Sequence, residues 1–418
     1  MILNAAQKAW VLYDMGNASY ALIVRTVFAA LIFKYCADGV WESAATTARW
    51  GYVCSAAGIA AGAVSILLGA LADARNRRKL LLGIFVAAGA LSTAAFALLR
   101  KGMVWHALAL SFISLGCYMS ANSFYDSLLL SVCSKSLRDR LSTLAYAMGY
   151  VGGVIPFIFC LALSGLMADK VSAMRWAFII ASLWWLILSL PLFAIVREHR
   201  AIGGNAPPSS FIDNCRELVK NRNVLLFLGA YFLYIDGVGT IYTMAAPIAV
   251  DIGISMPLLL GVILGLQFLA FPCTLLYGQL SRIFHPRTLV LAAIGVYILI
   301  SLLALLMSFS AFTSYRTGIF ILLAVLIGTS QGGIQSLSRS LFSRIVPPRQ
   351  ASEFFGFYNL FGKFTTIVGP VLVGIAAAGT GRATAGIAML AVPFALGGFL
   401  LTKVDFSPSF REKVDHGA

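Results

Sequence analysis

Charge is scarce in this chain. Only 11% of its 418 residues are Asp, Glu, Lys or Arg, against about 25% in an ordinary soluble domain, and that shortage excludes a soluble monomer. Histidine is scarcer still. His199, His285 and His416 fall between or beyond the apolar runs and His106 lies at the end of one, so no histidine cluster can bind a metal and none is expected. No Walker loop and no dinucleotide fingerprint occur, so no cofactor is expected and an enzyme or self-contained ATP-driven pump is disfavoured. The seven cysteines have no paired spacing and mostly sit inside apolar runs, as small membrane hydrophobes do. Acids are half as common as bases, giving a net charge of +15. In a soluble protein that balance would suggest a nucleic acid. Here the cations sit between apolar runs, and no nucleic-acid partner is expected.

What the chain has is apolar length: 60% hydrophobic residues and a mean hydropathy of +0.89. One helical crossing of a bilayer needs about 20 apolar residues. Six runs fill the first half, at 9–33, 50–71, 80–99, 104–130, 141–167 and 176–196. Six more follow at 224–250, 258–280, 289–307, 317–346, 354–378 and 383–401. They must be helices, because lipid offers no partner to an unpaired backbone amide and the runs are too long for barrel strands. The first run has no short hydrophobic region with a cleavage site, so no removable signal peptide is expected.

Lys and Arg outside the runs or at their ends number 20 on the side of both termini, with Arg344 at the end of its run, and 8 on the other, which predicts cytoplasmic termini and a cytoplasmic central loop. The expected organisation is a six-helix half over 1–196, a linker over 197–223, a second six-helix half over 224–402 and a cytoplasmic tail over 403–418. Gly203-Gly204 and Pro207-Pro208 mark the linker. Within it, Ser210 is placed to cap a short interfacial helix with Phe211, Cys215, Leu218 and Val219 on one face.

The halves resemble each other. Gly69-Ala70-Leu71-Ala72 is matched by Gly278-Gln279-Leu280-Ser281, Tyr13-Asp14 and Tyr20 by Ile235-Asp236 and Tyr242, Asp126-Ser127-Leu128 by Arg339-Ser340-Leu341, and Gly149 by Gly362. Their common order predicts a six-plus-six duplication.

Gly69-x-x-x-Asp73-x-Arg75-Asn76-Arg77-Arg78-Lys79 resembles the signature loop of the major facilitator superfamily. Its logic is a small residue for close helix approach, then an acid and bases forming a cytoplasmic clasp. Asn76 stands where that family has Gly, a mild departure because Asn tolerates a left-handed backbone. Residues 9–21, 146–153 (YAMGYVGG), 231–246 (YFLYIDGVGTIYTMAA) and 332–374 are similar to the bacterial and fungal family related to the vacuolar amino-acid effluxer of autophagy. The resemblance implies an all-α integral membrane protein of twelve transmembrane helices with the major facilitator fold, for export or passage of a small organic solute, with amino acids the substrate class known in fungi. Where that family reaches a Pro after the first-helix Tyr, this chain carries Arg25.

Ionisable residues inside the spans are functional candidates, because a charge at mid-bilayer costs several kcal/mol unless paired or hydrated. Asp236 lies 12 residues into a 27-residue run, near the midplane. It is the first candidate for proton coupling, with a structural carboxylate as the other reading, and Asp14 is the second. Arg25 offers a fork for a carboxylate or phosphate. Tyr20, Tyr242, Gln335 and Lys363 are candidate substrate contacts. Asp126 and Arg339 at equivalent positions of the two halves, with Asp73, Arg77 and Glu353, make a candidate inner gate. The expectation is a monomeric secondary transporter in a bacterial cell (inner) membrane. It would work with a proton or sodium ion and contact membrane lipid but hold no cofactor. A lipid flippase and a non-transporting sensor are the alternatives.

Overall fold

Asn4 begins the first helix by capping it. Its side-chain oxygen accepts the Gln7 amide at 2.8 Å while Gln7 Oε1 accepts the Asn4 amide at 3.2 Å, so two otherwise orphaned donors are satisfied reciprocally. The computed structural model describes residues 3–41, 43–198, 218, 220–251, 253–307, 309–364, 369, 372–373, 375 and 383–406. From Asn4 the chain runs as α1 (Ala5–Ser19), widens to π-helical winding over Tyr20–Phe28 and continues as α2 (Ala29–Ala37). Then come α3 (Ser43–Arg75), α4 (Arg78–Ala95), α5 (Val104–Val132), α6 (Arg138–Leu166) and α7 (Lys170–Ile195). The second half contributes α8 (Arg222–Asp251), α9 (Met256–Leu280), α10 (Pro286–Leu306), α11 (Arg316–Ile345), α12 (Ala351–Phe364), α13 (Ala383–Ala388) and α14 (Ala391–Thr402). Nine helices among the described residues are long and apolar enough to cross a membrane. The expected interfacial helix of the linker lies outside the described residues, apart from Leu218.

Helix ends follow local chemistry. At the end of α3, Asn76 takes φ +50°, and among the described residues it is the one non-glycine with positive φ. The Arg77 amide then reaches back to the Ala72 carbonyl at 2.9 Å, closing a Schellman turn. Asp169 caps α7 by accepting the Val171 and Ser172 amides at 3.0 and 3.2 Å. Its hydrogen bonds, first from the Ser172 hydroxyl and then from the Val171 amide, hold its carboxyl below the usual range. The last apolar run is broken at Met389–Leu390, between α13 and α14. Pro393 accounts for the break, because it has no amide to offer the Met389 carbonyl four residues back.

The chain divides into two compact units. Unit 1 is Met1–Ser134, Met148–Phe211 and Pro348–Leu360; unit 2 is Lys135–Ala147, Ile212–Pro347 and Phe361–Ala418. In unit 1, α4 packs on α5, α1 on α7, α3 on α5 and α4 on α7. In unit 2 the same four pairings recur as α10 on α11, α8 on α14, α9 on α11 and α10 on α14. The units depart from the halves of the sequence in one respect. The start of α6 packs within unit 2, and most of α12 packs within unit 1.

Candidate functional site

Unit 1 holds its borrowed segment through one carboxylate. Asp73, 6% exposed, accepts Arg78 Nε at 2.6 Å on one oxygen. Its other oxygen accepts the Ser352 and Glu353 amides at 2.8 and 3.2 Å. These amides belong to the first turn of α12, where orphan donors and the helix dipole favour an anion. Arg78 also donates to the Pro348 carbonyl at 3.0 Å. Gly69 makes the approach possible, since a β-carbon there would lie 2.9 Å from the Glu353 amide nitrogen and 3.0 Å from Glu353 Cα. In the same first turn Ser352 donates to Ser127 at 3.0 Å, and nearly two turns further along α12 Asn359 donates to Asp126 at 3.0 Å.

Unit 2 holds the start of α6 with opposite chemistry. Arg339, 2% exposed, donates from Nε to Ser142 Oγ at 2.9 Å and from its terminal nitrogen to the Ser142 carbonyl at 3.2 Å. Its guanidinium lies 4.4 Å over the Tyr146 ring, a cation–π geometry. Ser142 in turn donates to the Ser336 carbonyl at 2.7 Å. Asp139 accepts from the Ser340 hydroxyl and from Arg344, and Arg138 donates to the Ser343 carbonyl at 2.7 Å.

Behind each patch a base closes a helix end. In unit 1, Lys79 donates to the Phe193 and Val196 carbonyls at 3.1 and 2.8 Å, at the C-terminus of α7. Glu198 returns the favour by accepting the Arg78 and Lys79 amides at 3.1 and 2.7 Å. Burial lifts the Glu198 carboxyl above its ordinary range, with those amides and the Arg78 and Lys79 charges pulling the other way. In unit 2, Arg287 donates to the Val404 carbonyl at 3.3 Å, while Asn223 and Asp405 exchange two hydrogen bonds at 2.7 and 2.8 Å. His285 caps α10 by accepting the Arg287 amide at 3.1 Å. Burial, then the Arg344 and Arg287 charges, lowers its imidazole, and Asp139 opposes them.

Asp236 sits on α8 inside unit 2, 2% exposed. One carboxylate oxygen accepts the Gly369 amide at 3.1 Å. A β-carbon on Gly369 would lie 3.0 Å from the other oxygen and would collide with Thr240, so this glycine admits the backbone to the acid. Tyr242 and Gln335 are half-buried on α8 and α11. Tyr20 lies inside unit 1. It stacks on Tyr118 at 4.4 Å and shares its hydroxyl with Ser114 at 2.8 Å, and Ser114 shares with Thr93 at the same distance. In this structure that hydroxyl serves helix packing. Arg25 falls in the π-helical stretch and Lys363 near the end of α12, but the side chains of both lie outside the described residues.

The candidate gate residues divide between the two units. Asp73, Asp126 and Glu353 belong to unit 1 and Arg339 to unit 2. Arg77 is exposed, and its neighbour Arg78 pairs with Asp73. Sequence reasoning passed over Ser142, Ser352 and Asn359, whose polar side chains carry no charge to draw notice.

Residues 130–414 match the family described as vacuole effluxer Atg22 like. The chain is 35% identical over 413 residues to the uncharacterized MFS-type transporter YxiO of Bacillus subtilis, covering 95% of this chain and 94% of that protein. It is 27% identical over 268 residues to autophagy-related protein 22-2 of Aspergillus clavatus, covering 57% of this chain and 43% of the fungal protein. Among solved structures, the proton:xylose symporter XylE superposes with a TM-score of 0.74 at 13% identity, over 96% of this chain and 95% of that one. The chain therefore belongs to the vacuole effluxer Atg22 like family of the major facilitator superfamily, and it is a multi-pass membrane secondary transporter rather than an enzyme.

Proposed function

We propose that this transporter moves a small organic solute, an amino acid or a related metabolite, outward across a bacterial cell membrane by alternating access coupled to protons at Asp236. Both termini face the cytoplasm in this reading. The observation that carries it is the setting of Asp236, a carboxylate 2% exposed in the middle of a membrane helix with a backbone amide 3.1 Å away. Removing a carboxylate from water favours its neutral form. A group that holds a proton in one state and releases it in another biases the two states differently, which is what coupling requires. The structurally similar XylE is a proton:xylose symporter, which supports the choice of ion, and a vacuole effluxer family supports the outward direction.

The two patches supply the gate in this reading. Each ties a helix of one sequence half into a unit made mainly of the other half, so movement of the halves requires the Asp73 and Arg339 contacts to break and reform. Arg25, Lys363, Tyr242 and Gln335 remain proposed substrate contacts.

The test is transport in liposomes of purified protein, screened first with labelled amino acids. Asp236→Asn should abolish accumulation driven by a pH gradient while preserving solute exchange. Full gradient-driven accumulation by that variant would remove Asp236 as the coupling site.

A further inference from the structure

Unit 1 brings acids of its own chain to the bases of its α3–α4 turn. Asp73 pairs with Arg78, and Glu198 accepts the Arg78 and Lys79 amides. The α9–α10 turn holds the equivalent place in unit 2 and is built differently. Arg282 lies exposed within it. Arg287, at the start of α10, donates to the Thr402 and Val404 carbonyls at 3.5 and 3.3 Å, on either side of the exposed Lys403 that follows α14. Among the described residues no acid forms an ion pair with Arg282, Arg287 or Lys403. Asp139, whose charge reaches the same turn at His285, is already paired with Arg344.

The same surface exposes apolar side chains. Ile283 and Phe284 follow Arg282 and are 77% and 50% exposed, whereas the unit 1 turn, Arg75-Asn76-Arg77, has no apolar residue. Phe399, one turn before Lys403, is 60% exposed, and the Lys403 ammonium lies 5.2 Å over its ring. That is the posture of an interfacial lysine, whose stem lies along apolar surface while its head stays in the polar layer. Unneutralised bases and exposed hydrocarbon thus stand together at one corner of unit 2.

The ligand that satisfies both features is an anion carrying hydrocarbon. A free phosphate would leave Ile283, Phe284 and Phe399 uncovered, and a zwitterionic lipid would bring a further cation to bases that already repel one another. A lipid phosphate accepts from a guanidinium fork and an ammonium together, and its acyl chains cover the apolar residues. We infer that Arg282, Arg287 and Lys403, with Ile283, Phe284 and Phe399, form a site for the headgroup of an anionic phospholipid of the cytoplasmic leaflet, held at the side of unit 2 and not transported. The inference takes its orientation from the transport reading above and uses neither the solute nor Asp236.

The test is titration of purified full-length protein in a neutral detergent with dioleoylphosphatidylglycerol or dioleoylphosphatidylcholine, bound lipid being counted by native mass spectrometry. The anionic lipid should bind the more tightly. A base near a membrane surface is worth about fivefold in affinity, so Arg282→Gln with Lys403→Gln should weaken phosphatidylglycerol binding about thirtyfold. Arg282→Lys should keep it. Lys8→Gln with Arg75→Gln removes the same charge from exposed positions of unit 1 and should leave it unchanged. Equal affinity for the two lipids, equal loss in both double variants, or displacement of the lipid by equimolar glycerol 3-phosphate, the mark of a soluble-anion site, would overturn the inference. A gain in phosphatidylglycerol binding on Glu412→Gln with Asp415→Asn would overturn it too, giving the surface to the chain's own tail. Failure of solute transport in liposomes would leave the lipid preference untouched, so the two readings fail separately.

Discussion

The two patches that tie a borrowed helix into each unit solve the same mechanical problem with opposite charges. In unit 1 the acid comes from the last turn of α3, and the backbone amides at the start of α12 receive it. In unit 2 a base on α11 grips a serine hydroxyl, a carbonyl and a ring on α6. A helix N-terminus is positive, so only the first arrangement draws on the dipole. The second depends on a planar fork and on stacking, which a point charge cannot reproduce. A duplicated architecture has thus kept its helix packing while changing the chemistry of its fastenings.

That difference predicts unequal responses to substitution. Asp73→Ala should have the largest effect, because it leaves the buried Arg78 guanidinium without its carboxylate and strands two helix amides. Breaking a buried pair in this way costs about 3–5 kcal/mol, seen as a fall in the melting temperature of purified protein. If Asp73→Ala melts like the parent, the carboxylate is not the fastening of unit 1. Arg339→Lys keeps the charge but loses the fork and the stacking, at a cost of about 1–2 kcal/mol. Arg339→Gln should shift the balance of inward-open and outward-open states, read by state-specific crosslinks, more than it shifts solute affinity. Unchanged crosslinks with collapsed affinity would reassign Arg339 to the ligand.

The paired glycines sharpen the comparison further. At Gly69 a new methyl meets the Ser352 and Glu353 backbone, which cannot rotate away, whereas at Gly278 it meets the Thr143 side chain. Overpacking costs about 1–3 kcal/mol, so Gly69→Ala should destabilise more than Gly278→Ala. The companion change Thr143→Ala should rescue the second, while Glu353→Ala should leave the first unrescued. Equal penalties and equal rescue would mean that the contacts are equally pliable.

The smallest effect belongs to pH. Folding lowers the His285 imidazole below its usual value of about 6.5, because burial and then the Arg344 and Arg287 charges disfavour its protonated form. The contribution is therefore complete above that value and fades as the pH falls through the lowered one. Thermal melts from pH 7.5 to 5 should show His285→Asn, whose cap does not titrate, losing slightly less stability than the parent.

The fold was legible because lipid leaves few options: apolar runs separated by bases announce helices, and Asn76 at the end of α3 took the left-handed turn its side chain tolerates. The candidate gate residues were legible by position more than by partner. Arg77 and Arg78 are indistinguishable in a basic loop, and which one turns back to Asp73 is settled by the Schellman turn, which points Arg77 outward and starts α4 at Arg78. Asp126 and Arg339 occupy equivalent sites in the duplication and invited pairing with each other. Within its own unit each also holds a neutral partner that no charge announces, Asn359 on α12 for Asp126 and Ser142 on α6 for Arg339. Tyr20 is a candidate substrate contact by sequence, and the partner of its hydroxyl, Ser114, lies 94 residues away in the chain, where no local pattern announces it.

The most direct test of the account is to lock both fastenings. In a cysteine-free background, Gly62→Cys with Leu360→Cys joins α3 to α12, and Gly278→Cys with Thr143→Cys joins α9 to α6. A β-carbon on either glycine lies 3.1 Å from that of its partner, near the spacing of about 3.5–4.5 Å that a disulfide spans. The measurement is solute exchange in liposomes before and after reduction. Either disulfide should stop exchange and reductant should restore it; undiminished exchange with the disulfides formed would show that these contacts never open during transport.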